Sequence, residues 1–416
     1  MKAADFDSLA WVELSYVDVF GTRHSMQLPA SRFQAALIRG EPFDGSSLEG
    51  RTRLVEIDMR LRPDPATLVQ MRSGVGRAVC TVLDKDGRPW PADPRTALSM
   101  VVEQCGALGA DYSISAELEF YLLDEDLLPI DRGSYFDEAQ GIGMSVVREA
   151  ADRLIACGVE IDSLHHEAGP GQYEIDLAFL KARDMADALV LAKQVLHDTA
   201  ADHGLQATFM PRPLLGEAGS GMHVHQRLGW SLVDEDGQVS EQGRAFLAGQ
   251  LAHGRALTAL AAPTVNSYKR LHSGPEAPSS AVWAYVNRGA LVRLSPNHEG
   301  GPTFEFRASD PSANPYLLFA GLLAAGADGM ISELELPPAF EEELGGFDPA
   351  SMDSARSEPL PRELDDALDA LLTDDVLVDT FDTQLLSRLV DGRRAEASSY
   401  RAQVTSWEIE QYLDEA

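Results

Sequence analysis

Apolar and polar positions alternate along residues 10–30 (AWVELSYVDVFGTRHSMQLPA) with a glycine break in the middle, which predicts a β-hairpin. After Pro91 the texture changes. Apolar residues then recur at helical spacing over 94–108, 143–157, 181–203, 242–261, 314–330 and 362–391, which predicts helices there. Short strands with turn signals lie between them. The change of period predicts two domains, a small β-rich one over 1–92 and a larger α+β one over 93–416.

Four of the short strands carry polar residues at every second position. In DYSISAELEFYLLD one face is Ser113, Ser115, Glu117 and Glu119, the other Ile114, Ala116, Leu118 and Phe120. In GQYEIDLAF, Glu174 and Asp176 oppose Tyr173, Ile175 and Leu177. His223 and His225 oppose Met222 and Val224, and Glu305 and Arg307 oppose Phe304 and Phe306. Successive side chains on a strand point to opposite faces, so each polar set projects one way. A strand with one face in water accounts for any one of these patterns. It accounts poorly for paired histidines and paired glutamates together, because neighbouring carboxylates repel and are best held by a divalent cation. The candidate ligands are Glu117, Glu119, Glu167, Glu174 and Glu305 with one or two histidines, an oxygen-rich set that favours Mg²⁺ or Mn²⁺ over Zn²⁺.

Such a set suits phosphates, and phosphates also need arginines. Arg270, Arg288 and Arg293 fall within 24 residues, bracketing Glu276 and preceding Glu305 and Arg307. No GxxxxGK[ST] occurs, so a P-loop does not hold a nucleotide here.

Composition narrows the partners. Across 416 residues, 66 acids face 34 bases, a formal charge of −32, which disfavours nucleic acid and anionic membranes. Residues 331–416 alone hold 22 acids and 6 arginines. Only 5 of the 34 bases are lysines, so planar guanidinium forks dominate. Three cysteines without metal-site spacing point to a reducing compartment. The N-terminal segment has no basic region followed by an apolar run, and the longest uncharged apolar stretch, 316–327, is too short to span a bilayer. The expectation is a soluble, cytoplasmic protein.

Seven blocks, in order, resemble the glutamine synthetase family, in particular its bacterial type I branch and the specialised relatives of that branch. They are FDGSSLEG (43–50), AELEFYLL (116–123), HHEAGPGQYEIDLAF (165–179), GSGMHVHQRL (219–228), SYKRL with GPEAP (267–278), NRGALVRL (287–294) and FEFRASDPSANPYL (304–317). The resemblance implies a β-grasp-like N-terminal domain and a catalytic domain with a curved antiparallel sheet flanked by helices. It further implies a homo-oligomer, usually a dodecamer, with active sites between neighbouring subunits. The implied chemistry is phosphorylation of the glutamate γ-carboxylate by ATP, followed by attack of ammonia or a primary amine on the γ-glutamyl phosphate.

By matching position, the resemblance makes Glu119, Glu167 and Glu174 ligands of the glutamate-side metal. It makes Glu117, His223 and Glu305 ligands of the metal on the phosphates. Arg288 and Arg293 match the arginines on the transferring phosphoryl group, and Arg270, Arg307 and Gly219 match the glutamate contacts. Asp162, Phe179 and His225 fall at nucleotide positions. Asp44 matches the acid that deprotonates ammonium from a neighbouring subunit, and Glu276 matches the flap acid that takes a proton.

Some positions depart from the pattern. Ala218 stands where the glutamate loop has Asn, Arg227 where a small Ser meets nucleotide, Thr303 where an arginine lies near ATP, and Arg51 where an aromatic often follows the FDGSS loop. No tyrosine lies between 331 and 399, so the adenylylation loop of regulated members is missing. These departures tilt the expected amine towards one larger than ammonia and raise Arg227 as a substitute for the arginine missing at 303. A non-catalytic regulatory or structural assembly, and a metal-dependent hydrolase on the same site, stay open as alternatives.

Overall fold

A computed structural model describes residues 6–49, 58–138, 141–272, 274, 276–296, 300–341 and 358–414. Arg51 lies outside the described residues. The predicted hairpin is present as β1 (Trp11–Val17) and β2 (Arg23–Pro29), paired antiparallel with Ser15 opposite Ser25. Its turn is fixed by Asp18, whose Oδ1 accepts from the Phe20 and Thr22 N–H groups at 2.9 Å each, and by Gly21 at φ +84°. There follow α1 (Phe33–Arg39), β3 (Glu41–Asp44), β4 (Asp58–Pro63), β5 (Val69–Arg72) and β6 (Val75–Leu83). The sheet runs β2-β1-β6-β4-β3 with β5 also on β6, and β1 and β6 are parallel. Val12, Leu14, Phe33, Leu61 and Val82 form its core under α1.

The rest of the chain supplies α2 (Pro94–Gln104), α3 (Gly106–Asp111), β7 (Ser113–Leu123), α4 (Gly143–Ala156), β8 (Ile161–His166), β9 (Gln172–Lys181), α5 (Ala182–Asp202), β10 (Gln206–Thr208) and β11 (Met222–Arg227). Then come α6 (Glu241–Ala252), α7 (Gly254–Ala261), α8 (Val265–Leu271), β12 (Trp283–Ala284), β13 (Val292–Ser295), β14 (Thr303–Phe306) and α9 (Pro315–Ile331). The last helices are α10 (Leu364–Leu372), α11 (Asp375–Thr380), α12 (Thr383–Arg401) and α13 (Ser406–Tyr412). The second sheet runs β12-β13-β14-β11-β7-β9-β8, with β10 also on β7. The sheet is mixed where the resemblance implied an antiparallel one, because Trp283 and Ala284 pair parallel with Val292 and Arg293.

Two expected helices are broken by side chains that periodicity does not register. The 242–261 helix splits at His253, whose imidazole bonds Asp374 at 2.6 Å and Asp328 at 3.2 Å. The 362–391 stretch becomes three helices, because Asp374 and Asp382 turn their carboxylates onto the Leu377 and Gln384 N–H groups and start new ones. Asp93 and Asn314 cap α2 and α9 in the same way, each followed by proline at the first helical position.

The two sheets meet across polar ties. Arg95 of α2 is buried and donates to Asp187 of α5 at 3.0 Å and to Asp64 beyond β4 at 2.8 Å. Asn314 donates to the Asp18 carbonyl at 3.0 Å, fixing the β1–β2 turn against the start of α9.

Candidate active site

The apolar faces predicted for β7, β9, β11 and β14 all join the main core with α5 and α9, and Ile114, Leu118, Phe120, Ile175, Val224 and Phe306 are fully buried. Each such side chain contributes about 1.5–3 kcal/mol by leaving water. The opposite face is not a solvated one. Glu305 and His225 are 0% exposed, Glu174 6% and Glu119 8%. A sheet that buries carboxylates on its second face needs partners for them, and this excludes the water-facing reading of the pattern.

Register brings the partners together. His223 sits opposite Glu117 across β11 and β7, His225 opposite Glu305 across β11 and β14, Arg293 opposite Glu305 across β13 and β14, and Glu119 opposite Glu174 across β7 and β9. His223 Nδ1 lies 2.7 Å from Glu117 Oε2 and 3.7 Å from Glu305 Oε1, and His225 Nε2 lies 2.8 Å from Glu117 Oε1. Arg293 Nε donates to Glu305 at 2.5 Å, and Arg307 pairs with the other oxygen of the same carboxylate. Burial opposes the charge on Glu117, but His225 and His223 outweigh it and hold the carboxyl well below its usual range. Burial likewise opposes the charge of Glu305, and Arg307, His225 and His223 together hold it at about 2.

The other acids behave in the opposite way. Burial, then the nearby Glu119 carboxylate, pushes Glu167 up to about 8. Burial, then Glu117 and Glu119, pushes Glu174 well above the usual carboxylate range. His165 spans these two, 2.9 Å from Glu174 and 3.6 Å from Glu167. Glu119 accepts from the Gly221 N–H at 2.8 Å and from Gln172 at 3.1 Å.

Among the described residues, two groups bring one ligand atom from each member within 4.8 Å of the others, Glu117–His223–Glu305 and His165–Glu174–Asp176. The first is the expected phosphate-side set. The expected set of Glu119, Glu167 and Glu174 is not gathered as closely: Glu119 and Glu167 line a pocket of about 210 Å³, and Glu174 turns to His165. Buried carboxylates that repel one another, with imidazole nitrogen and no thiolate among the donors, fit a hard divalent cation.

The same pocket is lined by Ala218, Gly219, Arg270, Glu276 and Arg307. Arg270 is buried and donates to the Ala308 and Arg307 carbonyls at 3.1 Å each. A Cβ on Gly219 would come within 2.7 Å of Arg270 Cγ and 2.9 Å of the Pro211 carbonyl, so the loop approaches α8 only as glycine. Glu276 is exposed and lies 3.5 Å from Arg288.

Four further expected site residues, Asp44, Asp162, His225 and Phe179, do not line this pocket. Asp44 ends the edge strand β3 of the other sheet, accepts from Ser46 N and Oγ at 2.9 and 2.8 Å, and does not line the pocket. Asp162 is exposed on β8. His225, matched to a nucleotide contact, is fully buried, with Nε2 2.8 Å from Glu117 Oε1 and Nδ1 2.9 Å from Thr303 Oγ1. Phe179 lies under the Arg227 guanidinium, 3.8 Å from ring centre to Cζ, and Arg227 also donates to the Gly301 carbonyl at 3.1 Å.

Sequence reasoning missed His165 and Gln172, although both lie in the HHEAGPGQYEID block, two residues before Glu167 and two before Glu174. It also missed Tyr135 and Phe136. Phe136 stacks on His165 at 4.6 Å, and the Arg288 guanidinium lies 6.0 Å from the Tyr135 ring. Two adjacent aromatics in a polar loop were the available signal.

A sheet face of buried carboxylates, histidines and arginines suits metal-dependent chemistry on an anionic substrate. The β-grasp domain of glutamine synthetase matches residues 8–85 and the catalytic domain of glutamine synthetase matches 91–412. The chain belongs to the glutamine synthetase family. It is 37% identical to the glutamine synthetase of Halobacterium salinarum over 97% of this chain and 93% of that one, and 36% identical to that of Thermus thermophilus over 99% and 98%. Its structure is similar to GmaS in complex with ADP, with a TM-score of 0.88 and 29% identity over 98% of this chain and 97% of that one. GmaS without ligand gives a TM-score of 0.86 at the same identity and coverage. The protein is a ligase of nitrogen metabolism that acts on small molecules with ATP and a divalent metal. Among the described residues no helix is long and apolar enough to cross a membrane.

Proposed function

We propose that the protein joins the γ-carboxyl of glutamate to an amine nitrogen, with ATP cleaved to ADP and phosphate through a γ-glutamyl phosphate. The observation that carries this reading is Glu117–His223–Glu305 flanked by Arg293 and Arg307, next to a pocket holding Arg270, Glu276 and Gly219. Arg270 and Arg307 hold the glutamate carboxylates, with the Gly219 backbone near the amino group. Mg²⁺ or Mn²⁺, when bound to Glu117, His223 and Glu305 and to Glu119, Glu167 and Glu174, supplies the positive charge that lets a phosphoryl group approach a carboxylate. Arg288 and Arg293 add charge where it builds up on that group. Glu276 is exposed at the pocket rim and takes a proton from the incoming ammonium, with Asp44 supplied by a neighbouring subunit of a dodecamer as a second acceptor. The resemblance to GmaS bound to ADP supports a nucleotide in this fold. In this reading Asp162, Phe179 and His225 serve the nucleotide, and Arg227 offers the base a guanidinium face backed by Phe179.

A primary amine is favoured over ammonia by the half-exposed Tyr135 and the exposed Phe136 over His165, apolar surface that ammonia has no use for, and by Ala218 in place of a polar side chain. An amine panel with ATP and glutamate, read as phosphate release and repeated with Glu305→Ala, tests both statements. Turnover with alkylamines that disappears in the variant is expected. A strong preference for ammonia would reject the larger amine, and no turnover with any amine would reject the ligase.

A further inference from the structure

On the far side of α8 from Arg270 the chain forms a groove of about 810 Å³. Its walls are the loop after β10, α8, the start of α10 and the end of α12. In a chain of net charge −32, this groove is lined by Arg212, Lys269, His272, Arg362 and Arg401, with Glu363 the one acid among its described lining residues and Asp365 behind it paired with Arg401. Apolar surface lies among these cations. Leu215 is fully exposed, Met210 and Tyr400 are nearly half exposed, and the Lys269 ammonium sits 5.1 Å from the Tyr400 ring centre. Tyr268, also in the wall, buries its hydroxyl without a hydrogen-bond partner among the described residues.

The walls of the groove are also walls of the catalytic pocket. Lys269 and Arg270 are consecutive on α8, a single seven-residue helix. The loop carrying Arg212 is tied to α8 by Arg212 N to Asn266 at 2.7 Å, by Asn266 Nδ2 to the Arg212 carbonyl at 3.1 Å and by Arg212 to the Lys269 carbonyl at 2.9 Å. The same loop continues to Gly219, with Ser220 N bonded to the Pro211 carbonyl at 2.8 Å. A ligand that shifts α8 or this loop therefore moves Arg270 or Gly219.

We propose that this groove binds a small organic anion, a carboxylate or phosphate on an aromatic or aliphatic body, and that its occupancy sets the affinity for the acyl substrate across α8. Guanidinium and ammonium groups suit the anionic head, and the leucine, methionine and tyrosine surface suits the body. The coupling rests on the assignment of Arg270 and Gly219 to glutamate, whereas the binding does not.

The test uses the intact oligomer saturated with ADP and Mg²⁺, titrated with anilinonaphthalene sulfonate, an aromatic anion whose fluorescence reports capture. Saturable binding at one per chain is expected, roughly tenfold weaker in the double variant Lys269→Glu, Arg362→Glu and weakened also by Leu215→Asp. Phenyl phosphate or benzoate should displace the probe, the stronger of the two identifying the head group, while inorganic phosphate should not. Saturating probe should shift the glutamate KM by about fivefold in the wild type and leave it unchanged in the double variant, whose basal kcat is retained. Unsaturable binding, or affinity equal in the variants, would overturn the site. Equal displacement by inorganic phosphate would overturn the role of the apolar body. An unmoved KM would overturn the coupling. A chain that binds the probe as expected and yet turns over no amine would reject the ligase assignment and leave the groove standing.

Discussion

The two sides of the carboxylate face make opposite use of the same residue type. Around Glu117 and Glu305 the protein supplies the counter-charge itself, from His223, His225, Arg293 and Arg307, and both carboxyls are held low. Around Glu167 and Glu174 the main neighbours are other carboxylates, and both carboxyls are pushed up. One half is complete as folded. The other half has His165 alone beside its crowded carboxylates, and a bound cation would supply the rest of the counter-charge.

Removing the anion from the complete half has the largest expected effect. Glu305→Ala leaves Arg293 and Arg307 facing each other without the carboxylate between them, and it should cost about 3–5 kcal/mol in chemical denaturation. Phosphate release should fall at least about 1000-fold, because phosphoryl stabilisation is lost as well. Comparable stability in wild type and variant would show that the pairing is not structural.

The strained half should respond with the opposite sign in stability. Glu167→Gln removes repulsion from a group that folding already drives towards protonation. The metal-free protein should gain about 1–3 kcal/mol at pH 7. Divalent affinity by calorimetry should fall about 10–100-fold. A loss of stability in the metal-free variant would break the comparison.

The pH dependence follows from the same contrast. Glu167 has a folded pKa near 8, above the ordinary value of 4.5, so the native state binds the proton more tightly. Metal-free stability should therefore fall as pH rises from 4.5 to 8, and divalent affinity should rise over that range as the proton is displaced. Glu305, held at about 2, contributes stability that is present above 4.5 and lost as pH falls from there to 2. Denaturation midpoints of the metal-free protein at several pH values, with Glu167→Gln flattening the upper limb, check both signs.

The smallest effects concern the rim. Phe136→Ala uncovers His165 and should raise the KM for alkylamines by about 3–10-fold while leaving that for ammonia within twofold. For Arg227→Ala the expected result is a KM for ATP raised about 3–10-fold, since the base loses a stacking face of about 0.5–2 kcal/mol. If adding Thr303→Arg restores it, the arginine has changed strands without changing its task.

What was legible in the sequence is what a period of two can carry. Glu117, Glu119, Glu174, His223 and Glu305 were readable because register turns alternation into a shared face. The depth of burial was not readable, and so neither was the engagement of His225 with Glu117 and Thr303, which depends on strands far apart in the chain. The Arg227–Phe179 stack joins the ends of β11 and β9 and leaves no periodic trace. The breaks at His253, Asp374 and Asp382 arise from single side-chain bonds that an apolar period ignores. Helix α8 fell below the length at which period is detectable, although it carries Arg270.

The crowding of Glu119, Glu167 and Glu174 also bears on how the protein responds to selection. A library screened only for heat resistance in a chelating buffer should enrich glutamine at 167 and 174, because each neutral amide removes like-charge repulsion from a buried place. The winners of that screen would be more robust and inert. Selection with the metal present should keep the acids, so the sequence that survives in each flask reports which force has maintained them.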